Sequence, residues 1–446
     1  KALRLVLSWK DIMRFDSIKT RYGIRSTKKI LFVMIFFLIY GPKLLGVIDL
    51  SVAIPFFLVF LLFDLRSKYS ISALSSASIL IVLFLLIYTY VLAFLTQTID
   101  FFVLGRILRS LINMIVIYFC VYHLVYARLI SVDEIIRYII VILSIGSFVI
   151  LAQVIFPSIQ PLMAELVGFN KSYLSTRAFG LTAGYDTAGY LSALVSMYSI
   201  YLYTQYNRRY KYVYLMSFVL SGIAVIYASR SSMAMMLGLF LVVIYYSITT
   251  KSASSKRLLM PLLIITVPVI IYIIPLFVIS FGLDIDFENI PLLEFIYGTD
   301  SLSFNKNYAS TNIGEVAQVF LFLPDTIFGV IFGTAHNVHS DIGYVKIIHI
   351  GGIIMMFLTI VVYFVLPVRL CFSRGLSQIV RIDPNTSKYI VLMIMFVIVM
   401  FVGNLKNLYF FTRGYHELFF IIFVSITALR NSYVDEQNGR EYMRSL

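Results

Sequence analysis

A succession of long, continuous apolar runs is the feature that most limits what this chain can fold into. Examples are Ile79–Leu95 and Leu258–Phe281. Runs of this length can cross the hydrocarbon core of a bilayer as α-helices. The strands of a membrane β-barrel are about ten residues long and alternate apolar with polar side chains. The pattern therefore predicts an all-α polytopic membrane protein.

The composition excludes several other classes of protein. Hydrophobic residues make up 60% of the 446 positions and charged residues only 13%. A soluble domain is about 45–50% apolar and about 25% charged. A water-soluble globular enzyme, a disordered chain and a nucleic-acid-binding module are thereby excluded. The two cysteines, Cys120 and Cys371, belong to apolar runs and indicate no disulfide framework.

The apolar runs predict about twelve transmembrane helices. We expect them at 30–48, 50–65, 73–96, 107–127, 134–156, 183–205, 211–229, 231–249, 258–281, 345–368, 388–405 and 415–430. With the N-terminus in the cytoplasm, 26 of the 36 Lys and Arg residues fall on cytoplasmic segments. This bias favours an even number of spans with both termini in the cytoplasm. Most of the net charge of +14 is then explained by membrane insertion and does not indicate an anionic partner.

These spans divide the chain into five regions. We expect a basic, amphipathic cytoplasmic segment at 1–29, spans one to nine within 30–281 with an outer loop at 157–182, a large outer loop at 282–344, spans ten to twelve within 345–430, and a cytoplasmic tail at 431–446. Both outer loops are longer than a connection requires. Long loops in compact proteins are often functional.

Arg177 and Arg230 are the first candidate site residues. Arg230 stands in Ala228-Ser-Arg-Ser-Ser232, between two apolar runs with almost no loop. An arginine near hydrocarbon is costly unless it is paired or hydrated, and no acid lies beside Arg230 in the sequence. An anionic ligand such as a phosphate or diphosphate would explain it, because a guanidinium binds phosphate in a fork. The alternative is an interfacial arginine that reaches the lipid headgroups.

A second cluster lies at the outer mouth of the tenth span. His336, His339, Asp341 and Tyr344 fall within nine residues. Asp341 or Ser340 could simply cap the helix that follows. The functional alternative is a general base close to a bound sugar.

Metal binding has weak support in the sequence. His339 and Asp341 could be ligands, but two residues at i and i+2 are a weak signal. Asp284 and Asp286 have a D-x-D spacing, which often arises by chance in an acidic loop. We therefore expect no metal cofactor.

A third candidate region is the outer turn between the last two predicted spans. It carries Lys406 and Arg413 among several aromatic residues. Aromatic faces can stack on sugar rings, and the same residue types form ordinary interfacial belts. The sequence leaves both interpretations open.

The first two arginines also carry a resemblance to a known family. Arg177-Ala-Phe-Gly-Leu181 fits the R-x3-L pattern in the outer loop of O-antigen ligases and related polymerases. The small, polar segment 182–189 looks like the one that follows it there, and 228–232 resembles the Ser-Arg turn of the same superfamily.

A late motif completes the resemblance. The run 331–334, then 339–344 and the pair Gly351-Gly352, looks like the polymerase version of the late outer motif. The ligase version begins with His-Asn and reaches a glycine after ten residues. His336-Asn337 has the wrong spacing for that, since ten residues on from Asn337 leads to Ile347. The chain therefore looks like a Wzy-type O-antigen or capsule polysaccharide polymerase.

The resemblance implies a fold, an activity and a location. The fold would be of the C-type glycosyltransferase class, with many membrane helices. The enzyme would transfer a growing glycan, linked to undecaprenyl diphosphate, onto a lipid-linked repeat unit during lipopolysaccharide biosynthesis. It would act at the periplasmic face of the bacterial inner membrane, without a metal and alongside a chain-length regulator.

The resemblance and the residue chemistry together assign roles to the candidates. Arg177, Arg230, Arg413 and Lys406 would bind the diphosphate. Asp341 or His339 would remove the proton of the attacking hydroxyl. His336 and Tyr344 would contact the acceptor.

Three rival functions fit part of the pattern. An O-antigen ligase would move the finished glycan to lipid A–core without lengthening it. A flippase for lipid-linked oligosaccharides would carry charged residues in mid-span, and these are scarce here. A peptidoglycan polymerase has a similar topology, but its outer-loop pattern is not found.

Overall fold

The computed structural model of the protein is built almost entirely from α-helices. It describes residues 23–44, 48–62, 72–97, 101–167, 178–182, 184–205, 210–249, 323–336, 338, 342–383, 386–405 and 408–445. The predicted ninth span, 258–281, and most of the predicted large loop, 282–344, lie outside these residues.

The N-terminal half contains ten helices and one pair of short strands in the described residues. The helices are α1 (Ile24–Tyr40), α2 (Leu50–Leu62), α3 (Ala73–Leu95), α4 (Phe101–Ile117), α5 (His123–Tyr126), α6 (Val132–Ile155), α7 (Ile159–Val167), α8 (Tyr185–Gln205), α9 (Lys211–Ala228) and α10 (Arg230–Thr249). A π-helical turn, Tyr118–Tyr122, joins α4 to α5. Strands β1 (Lys43–Leu44) and β2 (Ile48–Asp49) pair antiparallel, with Lys43 opposite Asp49.

The C-terminal half adds six helices to the described structure. They are α11 (Ile327–Phe332), α12 (Gly343–Ile360), α13 (Leu366–Cys371), α14 (Arg374–Ile382), α15 (Ser387–Gly403) and α16 (Tyr415–Ser445). A second π-helical turn, Val361–Val365, joins α12 to α13.

Among the described residues, six helical segments are long and apolar enough to cross a membrane. They are Ala73–Leu95, Val103–Tyr126, Val132–Ile155, Lys211–Ala228, Gly343–Cys371 and Tyr415–Asn438. Three shorter apolar helices lie at Leu50–Phe60, Ser231–Tyr246 and Ser387–Gly403. The prediction of an all-α membrane protein is confirmed. The count of about twelve spans stays a prediction.

Two helix boundaries differ clearly from the predicted ones. The first span was predicted at 30–48, but α1 runs from Ile24 to Tyr40. It ends before Gly41-Pro42, because the residue before a proline disfavours helical backbone. The predicted tail, 431–446, is helical as far as Ser445. Hydrogen bonds from Tyr126 to Asp435 and from Arg128 to Glu436 hold this extension against the end of α5.

Helix α8 forms the centre of the bundle. It packs against α6, α9, α10 and α15, and residues 188–202 are all buried. Two of its serines form hydrogen bonds to neighbouring helices. Ser192 bonds Ser147 of α6 at 2.9 Å, and Ser196 donates to the carbonyl of Phe218 in α9 at 3.1 Å. These bonds fix the position of α8 relative to α6 and α9.

Ion pairs join several helix starts at one end of the bundle. Lys28 of α1 pairs with Glu134 at 2.6 Å, and Lys388 of α15 pairs with Asp133 at 2.7 Å. Both carboxylates belong to the first turn of α6, which Ser131 and Glu134 close with a capping box. We call this end the Lys28 end, and the end where α1 terminates the Gly41 end.

Candidate functional site

The segment that follows Arg177 is held against α6 by one buried glutamine. The Oε1 of Gln153 accepts hydrogen bonds from the backbone N–H groups of Phe179 and Gly180, at 3.0 and 2.9 Å. Its Nε2 donates to the carbonyl of Gly180 at 3.1 Å. Gly180 has a φ of +60°, and a Cβ there would lie 2.8 Å from Ile150 Cγ1. The glycine of the R-x3-L segment is therefore needed for this close approach. Arg177 itself lies outside the described residues.

The Ser-Arg turn is as short as the sequence predicts. Helix α9 ends at Ala228 and α10 begins at Arg230, so that Ser229 alone has non-helical backbone. Ser229 is buried, and its Oγ accepts a hydrogen bond from the Ser232 backbone N–H at 3.2 Å. That is the geometry of a serine N-cap. Arg230 is thus the first residue of α10, and its side chain is outside the described part of the structure.

The two arginine-bearing segments lie side by side. The backbone N–H of Ala178 donates to the carbonyl of Tyr227 at 3.3 Å. Ala178 packs with Ile150, Ala188, Ala224 and Ala228 in one small buried cluster. Because these side chains are small, the segment approaches the ends of α8 and α9 closely. Residues that are some fifty positions apart in the sequence are neighbours here.

An acid that was not predicted lies at this junction. Asp186, in the first turn of α8, accepts a hydrogen bond from Ser231 Oγ at 2.6 Å. No acid neighbours Arg230 in the sequence, but the fold brings this carboxylate to the adjacent residue. The only sequence signal for it is that Asp186 belongs to the polar segment 182–189.

The late motif forms a break in a membrane helix. Helix α12 is interrupted at Gly351 (φ −141°, ψ 18°) and Gly352 (φ 66°, ψ −167°). Gly333 packs into this break, since a Cβ on Gly333 would lie 2.6 Å from Gly351 Cα. The N–H groups of Thr334 and Ala335 donate to the carbonyls of His349 and Ile350, at 2.7 and 3.1 Å. The glycine pair is therefore explained by close packing and by carbonyls that need partners outside the helix.

The predicted base residues immediately precede α12. His339 and Asp341 lie outside the described residues. Helix α12 begins at Gly343, with Ile342 at the N-cap position. Ser340 also lies outside the described residues, so the helix cap and the general base both stay predictions.

The two predicted acceptor contacts have different surroundings. His336 is exposed. Tyr344 is half-buried, and its hydroxyl donates to the carbonyl of Phe401 at 2.7 Å. His336 is therefore open to a ligand, whereas the Tyr344 hydroxyl already bonds the chain.

The loop 404–414 connects the late motif with the early one. The carbonyl of buried Asn404 accepts from the N–H of Gly343, at 2.9 Å. On its other side, the Tyr409 ring packs on Tyr190 with centroids 5.3 Å apart. The Tyr415 hydroxyl, just after the loop, donates to the carbonyl of Thr187 at 3.1 Å. Burial raises the pKa of Tyr409 well above its usual value, so this phenol stays neutral. The loop 404–414 therefore lies between the start of α12 and the start of α8, at the Gly41 end.

Arg413 is paired within the protein. Its guanidinium forms an ion pair with Asp49 and donates to the Gly41 carbonyl at 2.6 Å. These contacts tie the loop 404–414 to the segment between α1 and α2. The pairing could not be predicted, because Asp49 is far from Arg413 in the sequence. Lys406, the other predicted cation of this loop, is outside the described residues.

A buried polar cluster behind the loop was also missed. Glu417 is fully buried, and its carboxylate accepts hydrogen bonds from Asn113 Nδ2 and from the Gly414 N–H, each at 2.8 Å. Arg109 Nε lies 3.8 Å from the same carboxylate, and the Arg109 guanidinium donates to the Phe411 carbonyl at 2.9 Å. Glu417 closes the first turn of α16, and this whole cluster fixes the end of the loop on α4. In the sequence, the sign of this cluster was that Glu417 is an acid just inside an apolar run.

The two ring nitrogens of His416 have different hydrogen-bond partners. Its Nε2 lies 3.1 Å from the Ser110 carbonyl, to which it donates. Its Nδ1 is then the acceptor for the Tyr363 hydroxyl. This chain of bonds joins α4, the π-turn after α12, and α16.

The described part of the chain contains no group of three or more His, Cys, Asp and Glu residues that could hold a metal ion. Asp284 and Asp286 are not among the described residues. At the Gly41 end, the described residues bring together the segment 178–182, the Ser229 turn with the nearby carboxylate of Asp186, and the start of α12.

Comparison with known proteins adds no relative. No family model matches this chain, and no curated protein matches it significantly.

Proposed function

We propose that this protein is an O-antigen or surface-polysaccharide polymerase. The observation that carries the proposal is the hydrogen bond from the Ala178 N–H to the Tyr227 carbonyl. It joins the segment that follows Arg177 to the end of the helix that precedes Arg230. Two guanidinium groups on adjacent segments suit a diphosphate, which carries more than one negative charge.

The proposed reaction is a glycosyl transfer between two lipid-linked substrates. A hydroxyl of the acceptor repeat unit attacks the anomeric carbon of the donor glycan, and the bond from that carbon to the diphosphate oxygen breaks. Arg177 and Arg230 stabilise the charge that develops on the undecaprenyl diphosphate. Asp341, or His339, takes the hydroxyl proton. Asp341→Ala tests this role, since unchanged turnover would exclude Asp341 as the base.

The other predicted site residues have different roles in this proposal. Because Arg413 already pairs with Asp49, we assign it to holding the loop 404–414, and not to the diphosphate. Lys406 stays a candidate for the diphosphate, and His336 and Tyr344 stay candidates for the acceptor glycan.

The setting of the reaction belongs to the same proposal. The enzyme would have a C-type glycosyltransferase fold and lie in the bacterial inner membrane, with its Gly41 end at the periplasmic face. Both substrates would be anchored by their lipid chains, so that they meet within the plane of the bilayer. A chain-length regulator would be its protein partner, and no metal would be needed.

An assay that contains the purified protein, a lipid-linked repeat unit and lipid A–core gives the test. We expect a ladder of lengthened glycans on a gel, both with and without a chelator. A ladder that disappears with chelator would contradict the metal-independent mechanism. Transfer of a glycan to lipid A–core without lengthening would identify a ligase instead, and no product of either kind would refute the proposal.

We call the pair Arg177 and Arg230, which would bind the diphosphate, the clamp. Arg230→Lys tests it in the same assay. We expect turnover to fall by about tenfold or more while the protein still inserts and folds, because an ammonium group cannot form the same fork. Arg374→Lys is the matched control, since Arg374 is exposed on α14, away from the motifs. Turnover of Arg230→Lys equal to that of the control would contradict the clamp.

A further inference from the structure

Asp186 brings a negative charge to the turn that carries Arg230. Its Oδ1 accepts the hydrogen bond from Ser231 Oγ at 2.6 Å, and Ser231 directly follows Arg230. Asp186 is partly buried, so water screens its charge only in part. A carboxylate beside an anion-binding turn repels the anion and so lowers the affinity of the site for it.

Close packing fixes the position of this carboxylate. Gly189, one turn further along α8, faces Ser232, and a Cβ on Gly189 would lie 2.5 Å from the Cβ of Ser232. Ser229 Oγ bonds both Ser231 Oγ and Ser232 Oγ, each at 3.0 Å. Asp186 and the backbone of Arg230 are therefore held together by two helices in contact, and not by a loose loop.

We propose that Asp186 is the resident counter-anion of the Arg230 turn, and that its charge limits how tightly the site holds a diphosphate. The inference rests on the proposed function. Without substrate, the carboxylate offsets the charge of Arg230 at the start of α10. With product bound, it repels the diphosphate and so speeds the departure of the leaving group. Asp186 is a positioning residue, which acts on the ligand through its charge.

Asp186→Asn separates the charge from the hydrogen bond. The amide oxygen can still accept the bond from Ser231, so the fold should be kept. Inorganic pyrophosphate is the probe, titrated calorimetrically into the full-length protein in detergent, with chelator and at constant ionic strength. We expect Asp186→Asn to bind it roughly tenfold more tightly than the wild type, because a like charge is removed. Polymer formation by this variant should slow, with a lower KM for the donor.

Two control variants show whether the change in affinity depends on the charge of Asp186. Ser231→Ala removes the hydrogen bond and keeps the charge, so pyrophosphate should not bind more tightly. Asp435→Asn makes the same chemical change at the Lys28 end, where Asp435 accepts a hydrogen bond from the Tyr126 hydroxyl at 2.6 Å. It should leave pyrophosphate affinity unchanged.

The outcomes distinguish this inference from the proposed function. If the wild type binds pyrophosphate and Asp186→Asn binds it no more tightly, the role of Asp186 is refuted while the clamp stands. Equal tightening in Ser231→Ala or Asp435→Asn would also refute it, since the effect would not depend on the charge of Asp186. If the wild type binds no pyrophosphate, the clamp and this inference both fail.

Discussion

Arg230 is the first residue of a helix, which is an unfavourable place for a cation. The partial positive charge of a helix N-terminus repels it, at a cost of about 0.3–1 kcal/mol at an exposed site. Arg230 follows the N-cap Ser229 and precedes Ser231, whose hydroxyl bonds a carboxylate. The chain thus keeps an arginine where helix stability alone disfavours one. The binding role that we propose for Arg230 would explain this choice.

Gln153 is the residue on which the geometry of the R-x3-L segment depends. Gln153→Ala would leave two backbone N–H groups and one carbonyl without their buried partner. Each such group costs about 1–3 kcal/mol, so we expect lower stability together with a marked loss of polymerisation. Thermal unfolding and the gel ladder would measure the two effects.

Gln378→Ala is the matched control for that change, because Gln378 is exposed on α14. It should alter neither stability nor turnover. If Gln153→Ala behaved in the same way, the segment after Arg177 would not depend on the hydrogen bonds of Gln153.

At the residue scale, the sequence predicts a local turn better than it predicts the partners of individual side chains. The short turn at Arg230 could be predicted, because two apolar runs meet there with almost no loop between them. Asp186 and Asp49 could not be assigned as partners of Ser231 and Arg413. Their proximity depends on how distant helices pack, and no local pattern encodes that.

At the scale of elements, the break in α12 is the feature that most affects the site. It orients the half-helix Gly343–Ile350, which directly follows the predicted base residues. Gly352 has backbone angles that are accessible essentially to glycine alone. A substitution there must therefore strain the backbone and push against α11.

Gly352→Ala should destabilise the protein and reduce turnover. The backbone conformation costs about 1–3 kcal/mol for other residues, and a Cβ would also lie 2.6 Å from the Phe332 nitrogen. Thermal unfolding in detergent would measure the loss.

Gly238→Ala, within α10, has no atom within 4 Å of the new Cβ. This control should be neutral or slightly stabilising, since alanine favours a helix by about 0.5–1 kcal/mol. Equal melting temperatures for the two variants would contradict the importance of the break.

Helix positions follow from the apolar runs, whereas breaks and extensions do not. The predicted spans 183–205 and 211–229 correspond closely to α8 and α9. The break in α12 was not predicted, because glycines are also frequent within membrane helices that are not broken, so the pair alone does not locate a break. The extension of α16 was missed because its last residues are polar, and contacts with the end of α5 support it.

At the scale of the whole molecule, the two ends of the bundle differ in structure. The Lys28 end ties helix starts together with ion pairs. At the Gly41 end, the loop 404–414 joins the start of α12 to the start of α8. This division fits the topology predicted from the basic residues, in which the motifs lie on the outer side and both termini in the cytoplasm.

Cysteine labelling tests that topology. Asp325 lies just before α11 at the Gly41 end, and Ser377 lies on α14 at the Lys28 end; both are exposed. Intact spheroplasts treated with a membrane-impermeant maleimide should label Asp325→Cys, and Ser377→Cys only after permeabilisation. The native Cys120 and Cys371 are buried and should give little background. The reverse pattern would invert the predicted orientation.

The most direct test of the central claim is a structure of the protein with undecaprenyl diphosphate bound. We predict that the diphosphate lies between the segment 178–181 and the first turn of α10, with Arg230 in contact with its oxygens. A diphosphate bound away from both elements, or Arg177 and Arg230 directed apart into the acyl chains with no cavity between them, would contradict the account.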